Sequence, residues 1–392
     1  MYVSRFNYVS DCEKDGKRIL INFLSRSCDV VDEESAVFFS ENPENSEKKG
    51  VLSEEEKDYA AKRGYVFKSE HEELAVLNKL YRNELQNSST PAVAHVDTLD
   101  EERFKAVLEK VPAQKELILY SENQMDWLDT SQALHQRGDS ACTTLVTTGE
   151  NLGYFESLFT NKNRCNKVVL IVPVSGSRTC RIKEDTESLL DTLVDYGITV
   201  EIIARLTKGD VTYVKPLMDY FIYKGWPFLE NFTCNLEPAC NEGCIFGYWY
   251  HNITLVSKIF SEYTAHPQTE FCSMEKWVGV NPVQSLIWTG RPSIPSFHFC
   301  EASKGLTVFT GEGDVPCLNL AGKSGDFEEF RNKNASNIPQ CQECVFALSC
   351  GGGCRLKEQC PPVKELIELS LEYYFDEFLE RLNFYEQYGG VQ

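Results

Sequence analysis

The sequence predicts an α/β protein: a partial parallel β/α barrel, preceded by a small α+β unit and followed by a cysteine-rich module. Three observations lead there. Between about residues 91 and 230, short apolar runs alternate five times with helical patterns, as parallel strands joined by crossover helices do. Residues 1–86 hold short strands and two charged helices instead. After residue 230 the chain turns aromatic, irregular and rich in Cys, Gly and Pro until Pro362. At 392 residues the chain outgrows a single core. The expected divisions are 1–86, 91–230, a connecting region 231–299, and 300–392.

In the first division Lys17–Leu24 reads as a strand. Ser53–Arg63 reads as a helix opened by a capping box, with Ser53 followed three residues on by Glu56. Tyr65–Phe67 is a second short strand, and Ser69–Leu85 a helix with Leu74, Leu77, Leu80 and Tyr81 on one stripe. The polar stretch Asn87–Pro91 is a linker. The alternating pairs then follow: Ala92–Val96 with Asp100–Lys110, Glu116–Tyr120 with Asp126–Gln136, and Cys142–Thr147 with Asn151–Phe159. Lys167–Val174 with Glu184–Tyr196, and Thr199–Arg205 with Val211–Lys224, complete the five. Gly197 is a helix stop between Tyr196 and the next strand. Lys364–Tyr388 closes the chain as a long amphipathic helix.

Composition narrows the function. Lys and Arg number 39 against 59 Asp and Glu, a formal charge of −20, which repels a phosphate backbone and excludes nucleic acid as the expected partner. The longest aliphatic stretch, Val168–Val174, is far shorter than the roughly 20 residues of a membrane span. The N-terminus lacks the apolar segment of a secretion signal, so a cytoplasmic protein is expected. Sixteen cysteines in such a chain point to metal or cluster ligation more than to disulfides.

The densest cysteine run is Cys341-Gln-Glu-Cys344-Val-Phe-Ala-Leu-Ser-Cys350-Gly-Gly-Gly-Cys354, followed by Cys360-Pro-Pro. Upstream stand Cys300 and, in the turn Gly313-Asp-Val-Pro-Cys317, a further thiol. Thiolates this closely spaced on a glycine-bent loop can converge on one inorganic core, because glycine permits positive φ and close backbone approach. Structural zinc would also be served by these cysteines. Isolated Cys12, Cys142 and Cys180 read as buried inert thiols. A second group, Cys234, Cys240 and Cys244 in C-x5-C-x3-C spacing with Cys272 beyond, reads either as ligands of an additional metal or as buried thiols around a glycine turn.

The pattern Cys300…Gly-Asp-Val-Pro-Cys317…C341-x2-C344-x5-C350-G-G-G-C354…C360-P-P resembles the SPASM domain, the auxiliary iron–sulfur module of radical S-adenosylmethionine (SAM) peptide maturases. The resemblance implies up to two [4Fe–4S] clusters. One would be held by Cys341, Cys344, Cys350 and Cys360, the other by Cys300, Cys317 and Cys354. The family's usual fourth ligand for the second cluster has no counterpart in Glu301–Leu306, and the turn before Cys317 is one residue shorter than usual. The N-terminal unit is similar to the peptide-engaging segment of these maturases, and Leu189–Gly225 resembles the later units of their barrel.

The same resemblance exposes a gap. A radical SAM enzyme carries C-x3-C-x2-C after its first barrel strand, leaving one iron free for SAM. Here Ala92–Val96 runs through Asp97-Thr-Leu-Asp-Glu-Glu-Arg103 into a helix, with no cysteine between Cys28 and Cys142. The glycine-rich turn after the second strand is replaced by Ser121-Glu122-Asn123. The resemblance therefore implies a degenerate member that forms no 5′-deoxyadenosyl radical and is not expected to use SAM. His95, on the first barrel strand, either faces the barrel mouth or serves the core. The acidic run Asp97–Glu102 reads as a solvated helix start. No G-x-S-x-G or P-loop is present.

The expected function is a [4Fe–4S]-binding accessory protein of a system that modifies ribosomally made peptides. Its partners would be a precursor peptide, an active radical SAM maturase, or both. Two alternatives stand beside it: a peptide-modifying redox or Lewis-acid enzyme using the auxiliary cluster, and a zinc-stabilised scaffold. Whether the chain is an enzyme stays open at this stage.

Overall fold

A computed structural model describes residues 1–40, 52–87, 89–122, 142–149, 152–155, 165–173, 184–207, 209–238, 253–266, 271–274, 279–323, 327–354 and 360–387, with a few single positions between them. The chain forms two compact units: residues 1–88, 275–300 and 333–392 make the first, and residues 89–274 and 301–332 the second.

In the first unit, β1 (Tyr2–Val3) pairs antiparallel with β5 (Val66–Phe67), while β2 (Asn7–Lys14), β3 (Lys17–Asn22) and β4 (Ser27–Asp32) form an antiparallel sheet in that order. Asp15 and Gly16, at φ 54° and 71°, make the tight β2–β3 turn, the left-handed pair that matches strand twist. Helices α1 (Glu33–Ser40), α2 (Glu54–Lys62) and α3 (Glu70–Asn87) follow. The capping box at α2 is present as expected: Ser53 Oγ accepts from the Glu56 N–H, and the Glu56 carboxylate accepts from the Ser53 N–H.

The second unit is built on a nine-stranded sheet. Its strands are β6 (Ala92–His95), β7 (Leu117–Ser121), β8 (Thr143–Thr148), β9 (Lys167–Pro173), β10 (Thr199–Leu206), β11 (Phe232–Pro238), β12 (Cys272–Ser273), β13 (Thr307–Phe309) and β14 (Asp314–Val315). The spatial order is β12-β11-β10-β9-β8-β7-β6-β13-β14. Every neighbouring pair is parallel except β13–β14. The fold is thus mixed α/β with a large, mostly parallel sheet. Helices α4 (Glu101–Lys110), α5 (Glu184–Asp195), α6 (Val214–Lys224) and α7 (Ile253–Ala265) lie between strands in the sequence. Gly197, at φ 75°, ends α5 as anticipated. The expected helix Asp126–Gln136 lies outside the described residues, and of Asn151–Phe159 only a 3-10 turn, Leu152–Phe155, is described.

One strand was not anticipated. Residues read as the start of an irregular region form β11. The cause is visible in its alternation: Phe232, Cys234 and Leu236 point to one face, Thr233, Asn235 and Glu237 to the other. Cys234 therefore sits inside the parallel sheet, not on a loop beyond it.

Two later helices, α8 (Asn281–Thr289) and α9 (Val363–Gln387), belong to the first unit. They explain why Ile19, Leu20 and Ile21 are all buried in a strand whose side chains alternate. Leu20 packs with Phe39, Ala60 and Tyr65 of the α1–α2 side, whereas Ile19 and Ile21 pack with Leu286 of α8 and Ile367 and Leu371 of α9. The outer edge of β2 is covered as well, since the Glu368 carboxylate accepts from the backbone N–H groups of Asp11 and Cys12 at 2.8 and 3.0 Å. α9 starts so close to Gly279 that a Cβ there would lie 2.4 Å from Leu366 Cβ. Gly279→Ala is expected to cost about 1–3 kcal/mol by overpacking, read as a lower urea midpoint of the first unit.

Candidate functional site

The main cysteine run lies on short helical turns in the first unit. Pro339–Gln342 carries Cys341, with Pro at the first turn where its missing N–H is harmless. Ala347–Cys350 carries Cys350 and ends on Gly351. Cys341 and Ala347 share a small apolar cluster with Ala335, against which Cys344 packs. Gly351, Gly352 and Gly353 all adopt positive φ, at 61°, 81° and 72°. A Cβ on Gly351 would stand 2.3 Å from the His298 carbonyl carbon and 2.4 Å from the Phe299 nitrogen. The glycine run thus does what its sequence suggested, turning the chain left-handed and pressing it onto the backbone just before Cys300.

Four of the predicted ligands are brought together. Burial pushes the Cys350 thiol up to about 12, aided by the charges of Cys341, Cys344 and Cys360, and opposed by a hydrogen bond from the Gly352 N–H. Burial likewise raises Cys344, opposed by the neighbouring Phe346 and Ala347 N–H groups, the latter donating to the Cys344 carbonyl at 3.1 Å, while the charge of Cys360 adds to the rise. These three backbone donors were not legible as site groups, because backbone N–H direction follows from turn geometry and not from residue type. None of the described cysteines is in a disulfide. Among the described residues no group of three or more His, Cys, Asp and Glu side chains is arranged to hold a metal ion.

Cys300 and Cys354 lie in the first unit, half-buried, and Cys317 belongs to the second, at the start of a 3-10 turn. Cys240 and Cys244 lie outside the described residues. Cys234 and Cys272 face each other in register on β11 and β12.

The segment entering Cys300 is fixed by α3. Glu84 accepts from Ser296 Oγ at 2.8 Å and from the Phe297 N–H at 2.9 Å, and His298 Nδ1 lies 3.3 Å away. Burial alone would raise the Glu84 carboxyl, but the bonds from His298, Phe297 and Ser296 prevail and hold it below its ordinary value of 4.5. A carboxyl lowered on folding stabilises the protein above the unfolded value and loses that contribution as pH falls through the folded one. The stability difference between wild type and Glu84→Gln is therefore expected to be full near neutral pH and to shrink below about pH 4.5, followed by urea denaturation across pH. A cavity of about 300 Å³ opens beside Cys341, lined among others by Leu74 and Leu77 of α3, Phe297 and Leu348.

In the second unit, the carboxyl end of β6 is closed by its own polar groups. Asp97 accepts from Ser121 Oγ at 2.5 Å and from the Glu122 N–H at 2.9 Å, with His95 Nε2 3.9 Å away. Its side chain is only 7% exposed, so the solvated helix start holds for the capping Asp100 but not for Asp97. His95 packs edge-on against Tyr120, and burial lowers its pKa. Strand alternation puts His95, Tyr120, Glu201, Arg205, Asn235 and Glu237 on one face of the sheet. There Lys167 pairs with Glu201 at 2.6 Å and Arg205 with Glu237 at 3.0 Å. Charged groups on a buried parallel sheet face are unusual. The period-two placement of Glu201 and Arg205 in an otherwise apolar strand was the signal for them.

No family model matches the sequence, and no curated protein matches it. Among solved structures, native anSMEcpe with bound AdoMet is 14% identical, covering 73% of this chain and 90% of its own, at a TM-score of 0.45. The same protein with bound AdoMet and the Cp18Cys peptide is 15% identical, covering 73% and 91%, at 0.44. No helix among the described residues is long and apolar enough to cross a membrane.

Proposed function

We propose that this chain is an iron–sulfur protein of a peptide-modifying system, an accessory relative of SPASM radical maturases that binds a precursor peptide or an active maturase. The observation that carries the reading is the gathering of Cys341, Cys344 and Cys360 around Cys350 with backbone N–H groups beside two of the sulfurs. That donor set fits a [4Fe–4S] cluster: four soft thiolates, and amide donors of the kind that tune cluster potential. Such a cluster supplies electron transfer or structural cross-linking when bound. The protein's part is to seat it, through the left-handed glycine turn, and to hold Cys341, Cys344 and Cys350 in apolar surroundings while Cys360 closes the site from the exposed side. The absence of cysteines after β6, where Asp97, Ser121 and Glu122 instead bond to one another, supports a role without radical chemistry.

Peptide engagement would use β4. Phe23 donates to Phe6 next to the β2–β3 pairing, and the alternation this sets turns the backbone of Cys28 and Val30 to the outer side of β4. The Cys28 carbonyl already accepts from Arg63 Nη2 at 2.8 Å, so a peptide would pair at Val30. An extended peptide can add there as a further strand. Val30→Pro, which removes one outward N–H, is expected to weaken binding of a precursor peptide encoded beside the gene by about tenfold. Fluorescence anisotropy reads that change, and unchanged iron content shows the fold is intact.

The test of the whole reading is anaerobic reconstitution with iron and sulfide. About four irons per chain with broad visible absorption, and no 5′-deoxyadenosine from SAM under reduction, support it. A colourless zinc protein, or 5′-deoxyadenosine above the background of a Cys344→Ser variant, overturns it.

A further inference from the structure

A second group of sulfurs, Cys234 and Cys272, lies on the large sheet of the second unit. Cys234 on β11 stands opposite Cys272 on β12 in parallel register, so the two side chains share one face of the sheet. Cys272 Sγ lies 2.8 Å from Met218 Sδ of α6. All three residues are buried, at 2%, 4% and 1% exposure. Cys234 shares its sheet face with Phe232 and Leu236, and Phe232 in turn packs on Phe221 of α6. Sequence spacing had linked Cys234 with Cys240, Cys244 and Cys272, but it gave no hint of Met218, which comes from a helix earlier in the chain.

We propose that Cys234, Cys272 and Met218 form a binding site for a soft monovalent ion, cuprous copper. The argument is one of donors. Two thiols and a thioether are soft ligands, and softness selects Cu(I) among the common metals. Zinc would need four donors in tetrahedral array, and calcium or magnesium would need oxygen. Cuprous ion accepts two or three sulfurs in low coordination, matching a cysteine in contact with Met218 Sδ and a second cysteine beside it in register. Binding forms bonds from copper to both cysteine sulfurs and to Met218 Sδ, and the two thiol protons leave to solvent. No change of oxidation state is involved. Entry is through the end of the sheet, because β12 is its last strand and only two residues long.

The test is a Cu(I) titration of the reduced, iron-free full chain under anaerobic conditions, against a chromogenic Cu(I) chelator as competitor. Wild type is compared with Cys272→Ser, Met218→Leu and Cys165→Ser. Cys165 is a buried thiol bonded only to backbone, with its sulfur 3.2 Å from the Lys167 carbonyl, and serves as the control. Copper taken up by the cluster cysteines is common to all four proteins and cancels. The expected result is one tightly held equivalent fewer in Cys272→Ser and no change in Cys165→Ser. Met218→Leu, a volume-conserving swap that keeps the core filled, is expected to retain the equivalent with about tenfold weaker affinity. X-ray absorption of that variant should show one sulfur fewer at copper. Equal uptake by wild type and Cys272→Ser, or an equal loss in Cys165→Ser, overturns the proposal. Iron content after reconstitution, measured in parallel, reports the Cys341–Cys360 centre, so failure of one site is distinguishable from failure of the other.

Discussion

Cys344→Ser is expected to reduce iron retained after reconstitution by about tenfold or more while leaving the secondary structure in place. Cys344 is the thiol on which most of the local geometry converges. Its sulfur lies beside two successive N–H groups, Phe346 and Ala347, the second of which donates to the Cys344 carbonyl at 3.1 Å, and it packs on the small cluster of Ala335, Cys341 and Ala347. Serine fits the space and keeps a hydrogen-bond acceptor, so the turn survives. Its hydroxyl is a hard donor that stays protonated at neutral pH, so a soft iron centre loses a ligand. Iron and sulfide analysis beside circular dichroism reads the two effects separately. Cys165→Ser is again the control. Iron retention equal in both variants would remove Cys344 from the ligand set.

The second large effect concerns a residue with no side chain. Gly351→Ala is expected to destabilise the first unit by about 3 kcal/mol or more and to lower iron retention with it. Two costs add. The left-handed φ of 61° penalises any Cβ by about 1–2 kcal/mol. The added Cβ would also meet the His298 and Phe299 backbone at 2.3 to 2.5 Å, and backbone cannot rotate aside as a side chain can. Gly290→Ala separates the two: Gly290 has φ 71° but nothing within 4 Å of the added atom, so only the conformational cost of about 1–2 kcal/mol should appear. Urea midpoints of the two variants give the difference. If they match, the close approach of the glycine turn to the Cys300 segment carries no energy.

The legible parts of this protein were those fixed by local periodicity. Short apolar runs rich in β-branched residues, such as Lys167-Val-Val-Leu-Ile and Thr199-Val-Glu-Ile-Ile, read as buried strands, and the helices between them suit parallel crossovers. The capping box at Ser53 and the left-handed Gly197 appeared where residue chemistry demanded them. The cysteine spacing and the glycine triplet also marked the candidate site, because those residue types in that density have few other uses. The missed strand β11 was legible in principle. Its alternation was hidden by Asn235, Glu237 and Pro238, residues depleted in strands.

What sequence alone determined, then, is the kind of element at each stretch and the chemical identity of the sulfur donors. What only the tertiary structure decided is which distant residues meet. Asp97 became a buried acceptor because β7 places Ser121 and Glu122 beside it, although its own neighbours read as a solvent-facing acidic run. The second face of β3 is covered by helices some 265 and more positions later in the chain, and Glu368 caps the β2 edge from one of them. Met218 joined two cysteines from a strand pair that sequence separates by 38 positions. Such meetings depend on chain crossings and packing between faces, and each is satisfied by any residue of suitable size and polarity. Local pattern therefore cannot encode the partner, and only the folded chain supplies it.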